Sequence, residues 1–437
     1  MRSPLVLCLA VTCGLASASR AQVSAEKPLP VRTGTQTQVR GEVAPQPFFF
    51  RANDRIVFLG DSITAQYQYS SYMELYLTTR FPQWNLMFLN AGIGGDTANG
   101  GANRFSSHVL AEKPTAVTIN FGMNDAGYGA FNPGANANYV RKTADMLEAA
   151  QKAGVRIGLV SPNAVDRRVN PNFKLYVETQ KQFYAPLAEL AAKYKFAFAD
   201  QYATTRAAVE EMEKTDPKAV KVKPYYDGFH TSPSGGLLMA HSILKGLHAP
   251  ALVSSAKIVV GPKVVSMAEN CTISTAVKTE TGVSFERLDG ALPMPVQADW
   301  ASVMPYMSEL KDLNDYSLTV EGLAEGDYNV SIDGKVVATY PAKSLAAGVN
   351  LGNVTTGPIY EQAAKVATAI TEKNKLVSDR FFNVLMYNPP AWLGLGKGIE
   401  EPRAVELAKR LKAIEEKQAA IHKLAMPVPH AFKVEKK

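Results

Sequence analysis

The chain has few cysteines and no long apolar segment. Only three of its 437 residues are cysteine. Three thiols cannot form the disulfide framework on which small secreted proteins depend for stability. No stretch of the sequence approaches the roughly 18 uninterrupted apolar residues that a bilayer-spanning helix needs. We therefore expect a folded globular protein whose mature chain has no membrane span.

The excess of positive charge is also small. Lysine and arginine number 47 against 40 acidic residues, which gives a net charge of +7 and a pI near 9.0. Because these charges are spread along the whole length and do not form a basic cluster, they do not indicate nucleic-acid binding. A chain of this length corresponds to two or three domains at about 150 residues each.

The N-terminus has the pattern of a signal peptide, predicted to cover residues 1–21. Arg2 supplies the positive charge, the run from Pro4 to Leu15 is apolar, and small residues follow, with cleavage after Ala18 or, as we prefer, after Ala21. The sequence thus predicts export to the periplasm or the medium. Residues 22–50 lack any periodicity and are predicted to form an extended leader.

Five short and uniformly apolar runs follow, separated by stretches with helical periodicity. A strand that is half exposed would alternate apolar with polar residues, whereas uniformly apolar runs fit strands that are buried on both faces of a parallel sheet. Residues 51–255 are therefore predicted to form a doubly wound α/β domain with a five-stranded parallel sheet. The predicted strands are Ile56–Leu59, Leu86–Leu89, Ala116–Ile119, Val155–Val160 and Phe196–Ala199, and the predicted helices are Ser71–Thr79, Asn138–Ala153, Lys174–Tyr194, Thr204–Lys214 and Ser234–Leu247.

The second half of the chain has a different pattern. Residues 256–350 contain short β-type runs and an Asp333-Gly334 pair that is typical of a hairpin turn, so they are predicted to form a small antiparallel β-rich accessory unit. Residues 351–437 return to helical periodicity with Glu and Lys on the polar face, and are predicted to be a C-terminal helical region.

Polar residues are concentrated where the predicted strands end. Gly60-Asp61-Ser62 follows the first strand, Asn90 to Thr97 follows the second, and Gly122-Met123-Asn124-Asp125 follows the third. A fourth block, Asp227-Gly228-Phe229-His230, lies near the end of the domain. Ligands of such sheets bind beyond the carboxyl ends of the strands, so these blocks mark one expected site.

These four blocks, in this order, resemble those of the SGNH hydrolases, also called the GDSL esterase and lipase family. The resemblance covers about residues 55–245 and implies a flavodoxin-like fold and serine ester hydrolysis. Ser62 is then the nucleophile, which needs a neighbouring base, and His230 lies in the only motif that also holds a nearby acid, Asp227. The resemblance further implies an oxyanion hole formed by the backbone N–H groups of Ser62 and Gly95 and by the amide of Asn124.

Three aromatic residues near the blocks are candidates for substrate binding. Tyr128, Tyr226 and Phe229 could stack against a sugar ring or an acyl chain, or they could simply pack the core and support loops.

No cofactor and no metal are expected. The five other histidines show no ligand spacing, and the glycine-rich segment from Gly92 to Gly101 fits neither the dinucleotide nor the P-loop pattern.

The favoured interpretation is an exported serine esterase that removes acyl groups, above all O-acetyl groups, from carbohydrate through an acyl-enzyme. Its expected partners are small-molecule or polysaccharide esters, without nucleic acid, and the oligomeric state stays open. Two alternatives remain: a lipase, lysophospholipase or thioesterase with the same triad, and a carbohydrate-binding cell-surface protein whose hydrolase domain is vestigial.

Overall fold

A computed structural model of the chain describes residues 47–394 and 396–437. The predicted signal peptide and most of the predicted leader lie outside these residues. The end of that leader is packed, because Phe48 and Phe49 lie against the core and Phe50 is fully buried. The folded part of the chain thus begins before the boundary at residue 51 that the sequence suggested.

A five-stranded sheet forms the centre of the first half of the chain. Its strand order is β2-β1-β3-β4-β5 and every neighbouring pair is parallel, which confirms the predicted fold class. All residues of β3 are buried, as expected for a strand that is covered on both faces. The strands are β1 (Arg55–Gly60), β2 (Met87–Gly92), β3 (Ala116–Asn120), β4 (Arg156–Val160) and β5 (Ala197–Ala199).

The chain leaves β1 toward β2 on one side and later returns to place β3 on the other. This reversal creates a crevice at the carboxyl end of β1, where ligands of such sheets bind. The residues that directly follow β1 therefore lie at the expected position of a site.

Eight helices accompany this sheet in the part of the chain that the structure describes. The predicted helix over Lys174–Tyr194 is divided in two, because Pro186 has no N–H to continue the first helix and instead begins the second. Sequence analysis missed the helix over Ala98–His108, where glycines hid the periodicity. The helices are α1 (Ser62–Ala65), α2 (Gln68–Arg80), α3 (Ala98–His108), α4 (Pro133–Lys152), α5 (Lys174–Tyr184), α6 (Pro186–Lys193), α7 (Gln201–Thr215) and α8 (Pro233–Gly246).

The β-rich part is larger than predicted and consists of two sheets. One has the order β13-β10-β6-β7 and contains a parallel pair, β6 with β10, while the other is antiparallel with the order β12-β11-β14-β9-β8. The hairpin predicted at Asp333-Gly334 joins β11 to β12. The strands are β6 (Leu252–Val259), β7 (Val265–Glu269), β8 (Cys271–Lys278), β9 (Gly282–Asp289), β10 (Asp315–Glu321), β11 (Asp327–Ile332), β12 (Lys335–Pro341), β13 (Val349–Asn350) and β14 (His430–Lys436).

The sequence prediction was wrong about the end of the chain. Residues 351–437 were expected to be helical, but β14 lies in the middle of the antiparallel sheet, between β9 and β11. Its side chains alternate between buried and exposed, with Phe432 and Val434 facing the core. Within β14, Lys433 and Lys436 are exposed, and the β-rich part therefore includes the last strand of the chain.

Three further helices are α9 (Ala342–Ala347), α10 (Pro358–Arg380) and α11 (Glu400–Ala425). The two long ones match the predicted helical periods and pack against each other, and both also contact α2 of the first half. No helix among the described residues is both long and apolar enough to cross a bilayer.

Candidate active site

Ser62 lies at the turn between β1 and α1. The side chain of Asp61 caps α1 by accepting a hydrogen bond from the N–H of Ile63 at 3.0 Å. The turn is tight: a Cβ on Gly60 would lie 2.6 Å from the carbonyl oxygen of Asn120. Glycine is thus required at this position, and the packing presents the Ser62 hydroxyl at the carboxyl edge of the sheet.

Three of the predicted residues form one chain of hydrogen bonds. The Nε2 atom of His230 is 2.7 Å from Ser62 Oγ, and its Nδ1 atom is 2.7 Å from Asp227 Oδ2. The first contact joins positions that lie 168 residues apart in the sequence, and the second joins positions three residues apart. A hydroxyl, an imidazole and a carboxylate in this order can transfer a proton away from the hydroxyl oxygen.

The loop that carries Asp227 and His230 is closed by its own backbone. The N–H of Tyr226 donates to the carbonyl of His230 at 3.1 Å, and Gly228 adopts a positive φ of 103°. Asp227 Oδ1 accepts hydrogen bonds from the N–H groups of Phe229 and His230. Partial burial opposes ionisation of Asp227, but the bonds from the His230 ring and from these two N–H groups outweigh it and lower the pKa of the carboxyl.

The loop after β2 carries Gly95, and Asn124 is attached to it. Gly95 is exposed, has a φ of +73°, and has open space where a Cβ would be. The Nδ2 atom of Asn124 donates to the carbonyl of Asp96 at 2.8 Å, which places the amide beside this loop. The N–H of Ile93 donates to the carbonyl of Gly60 at 3.1 Å and ties the same loop to the end of β1.

The three aromatic candidates have different surroundings. Tyr226 is 52% exposed, and its ring stacks on that of His230 at a centroid distance of 5.9 Å. Phe229 also contacts the His230 ring, at 4.1 Å, and is partly buried. Tyr128 lies among other aromatic rings, and its hydroxyl donates to Asn124 Oδ1 at 2.9 Å. Among these three aromatics, Tyr226 is the most open to a ligand.

Two side chains that sequence analysis did not single out hold the site together. Gln66, at the end of α1, accepts hydrogen bonds from the backbone and the hydroxyl of Thr231 and donates to the Tyr226 hydroxyl. Arg104 on α3 donates to Asp96 Oδ2 at 2.8 Å and to the carbonyl of Gly60 at 3.2 Å. Neither belongs to a recognisable motif, and both connections depend on the tertiary fold.

Buried carboxyls lie beneath the site. Complete burial raises the pKa of Asp61 to about 7, and the negative charges of Asp125 and Asp96 add to this effect. Burial likewise raises the pKa of Asp125 to about 7, although the N–H of Ala98 opposes the shift. Asp61 accepts a hydrogen bond from the N–H of Ile63 in its own turn, and Asp125 accepts one from the N–H of Ala98 at the start of α3. Within residues 47–394 and 396–437, no group of three or more His, Cys, Asp or Glu side chains could hold a metal ion.

The sequence matches a known family model over part of its length. Residues 58–236, which run from within β1 to the start of α8, match the model of the GDSL-like Lipase/Acylhydrolase family. This segment contains all of the predicted catalytic and oxyanion-hole residues.

Two curated relatives and one solved structure show the same likeness. Thioesterase 1/protease 1/lysophospholipase L1 of Escherichia coli (strain K12) is 29% identical over 139 residues, 31% of this chain and 66% of that protein, so the chain spans just under two thirds of its length. An acetylxylan esterase of Geobacillus stearothermophilus is 25% identical over 215 residues, 44% of this chain and 94% of that enzyme. The structure of a gut microbial diltiazem-metabolizing enzyme has a TM-score of 0.78 at 26% identity and covers 89% of this chain and 98% of its own. That last similarity extends well beyond the family segment into the β-rich and C-terminal parts.

Proposed function

Through residues 58–236 the chain belongs to the GDSL-like lipase/acylhydrolase family, and from this premise we propose that it is a carboxylic ester hydrolase whose catalytic triad is Ser62, His230 and Asp227. The observation that carries the proposal is the chain of two 2.7 Å hydrogen bonds from Ser62 through His230 to Asp227. We would not expect a hydrolase domain that had lost its activity to retain this geometry.

The reaction follows from the arrangement. Ser62 Oγ attacks the ester carbonyl carbon while His230 Nε2 takes its proton, and the Asp227 carboxylate stabilises the imidazolium that forms. The negative oxygen of the tetrahedral intermediate accepts hydrogen bonds from the N–H groups of Ser62 and Gly95 and from the Asn124 amide. His230 then gives its proton to the departing alcohol, which leaves an acyl group on Ser62. Water, deprotonated by His230, releases the acid and restores the serine.

The substrate that we favour is an O-acetylated carbohydrate. The alignment with the acetylxylan esterase spans nearly all of that enzyme, and the exposed Tyr226 ring beside His230 offers a flat apolar face for a sugar. The predicted signal peptide, which precedes the described residues, supports action outside the cytoplasm. The second candidate, a thioesterase or lysophospholipase, has the support of the Escherichia coli relative.

Comparison of substrates tests these proposals. The purified enzyme should release acetate from acetylated xylo-oligosaccharides, and Ser62→Ala should abolish that release. A clear preference for long-chain acyl thioesters or lysophospholipids would favour the second candidate. Binding of the oligosaccharide without hydrolysis of any ester would instead support the vestigial carbohydrate-binding alternative.

A further inference from the structure

The side-chain amide of Asn124 can assist the reaction only in one orientation. Its nitrogen must face the developing oxyanion, because its oxygen would repel that charge. An asparagine amide rotates about two side-chain bonds, so other groups have to hold it. This inference rests on the proposed mechanism, which needs contacts that hold the Asn124 amide in that orientation.

Two contacts hold the amide at its two ends. Asn124 Nδ2 donates one hydrogen to the carbonyl of Asp96 at 2.8 Å, which leaves its second hydrogen for another acceptor. Asn124 Oδ1 accepts from the hydroxyl of Tyr128 at 2.9 Å. Rotating the amide by half a turn would bring its oxygen against the Asp96 carbonyl, and two acceptors repel each other. Tyr128 thus occupies the end of the amide that must stay away from the oxyanion.

The Tyr128 ring is itself firmly placed. Its centroid lies 5.6 Å from Phe173, 5.6 Å from Tyr176 and 5.0 Å from Phe229. Its backbone has a φ of +59°, a left-handed conformation that non-glycine residues rarely adopt. The Tyr128 hydroxyl reaches back to Asn124, four residues earlier. These contacts leave the ring partly buried.

We propose that Tyr128 is a positioning residue whose hydroxyl orients the Asn124 amide toward the oxyanion. This role is an alternative to the substrate contact that sequence analysis suggested for it. Burial, reinforced by the charges of Asp61 and Asp227, raises the pKa of the Tyr128 hydroxyl. The hydroxyl consequently stays protonated throughout the neutral range and can donate. Phe229 also contacts the His230 ring, so the same aromatic cluster supports the amide and the base.

Tyr128→Phe tests the proposal, because it keeps the ring and removes only the hydroxyl. With 4-nitrophenyl acetate as substrate and sites counted by active-site titration, kcat should fall about tenfold with KM nearly unchanged, the effect of losing one hydrogen bond that holds the amide. In an Asn124→Ala background the same change should cost nothing more, since the group that it positions is gone.

A matched control measures the general cost of removing a buried tyrosine hydroxyl. Tyr76 lies on α2, and its hydroxyl donates to the carbonyl of Pro250, away from Asn124. Tyr76→Phe should lower the melting temperature without changing kcat per titrated site. Because kcat refers to titrated sites, a reduced yield of folded Tyr128→Phe does not obscure its result.

Three results would overturn the proposal. An unchanged kcat would mean that the hydroxyl plays no part. A raised KM with normal kcat would restore the substrate-binding role, and a full additional loss in the Asn124→Ala background would show that Tyr128 acts elsewhere. Failure of the esterase mechanism is recognised separately, since Ser62→Ala would then retain activity.

Discussion

Lys373 on α10 forms a fully buried ion pair with Glu74 on α2. Its Nζ atom lies 2.7 Å from Glu74 Oε1, and the two side chains are 0% and 2% exposed. Asn374 adds hydrogen bonds to Glu74 Oε2 and to the Ser71 hydroxyl. Burial raises the pKa of Glu74 and lowers that of Lys373, and each charge opposes the shift of the other. These contacts fix α10 against α2.

Breaking this pair should be costly. Lys373→Met leaves the Glu74 carboxylate buried without a cation, and such changes typically cost about 3–5 kcal/mol. Urea denaturation should show this loss, and the double variant Glu74→Leu/Lys373→Met should recover most of it because no charge remains buried. Lys417→Met is the control, since its pair with Glu372 is more than half exposed and should contribute less than about 1 kcal/mol. An equal effect of the two single variants would contradict the argument.

The triad should behave as one unit. Ser62→Ala and His230→Ala should each reduce kcat by on the order of 10⁴–10⁶-fold, and the double variant should lose little beyond either single one. Asp227→Asn should lower kcat by about 10⁴-fold, because an amide in place of the carboxylate favours the wrong histidine tautomer. Single-turnover and steady-state rates on an acetyl ester measure these losses. Independent, multiplicative losses would be incompatible with a shared mechanism.

Much of the first half could be predicted because its strands and site motifs are recognisable from short stretches of sequence. Uniformly apolar strands such as β3 indicate a parallel sheet, and the blocks that follow the strands must then meet at one edge. The Ser62, His230 and Asp227 side chains do lie together. The helix α3 was missed because its glycines weaken the periodicity, although the Thr97 side chain caps it by accepting from the N–H of Gly100.

The second half was harder to predict because its strands pair with strands that are distant in the sequence. β14 becomes a central strand only through β9 and β11, which lie about a hundred residues or more earlier. A charged segment of seven residues gives no local sign of this. The same holds for Gln66, Arg104 and Lys373, whose partners are fixed by packing and not by spacing in the sequence.

Asn124 should act on the transition state more than on binding of the substrate. Asn124→Ala removes one donor to the oxyanion, which typically costs on the order of 10²–10³-fold in kcat, while KM should stay nearly the same. The rate is to be measured per titrated site, beside a thermal melt. A variant that melts earlier but turns over normally would reduce Asn124 to a structural residue of the loop.

Stability should fall as the buried carboxyl of Asp61 is forced to ionise. Its pKa is about 7 in the folded chain against an ordinary value of 3.8, so between these limits the folded state binds more protons than the unfolded state. The free energy of unfolding then decreases with rising pH, by at most about 1.4 kcal/mol per unit for this group. Asp61→Asn preserves an oxygen for the N–H of Ile63 but cannot ionise, so its stability relative to the wild type should increase from about pH 4 to pH 7. Urea titrations across this range measure the difference, with Asp145→Asn on the exposed side of α4 as the control that should track the wild type. A difference between Asp61→Asn and the wild type that stays constant with pH would show that Asp61 already carries its charge in the folded protein.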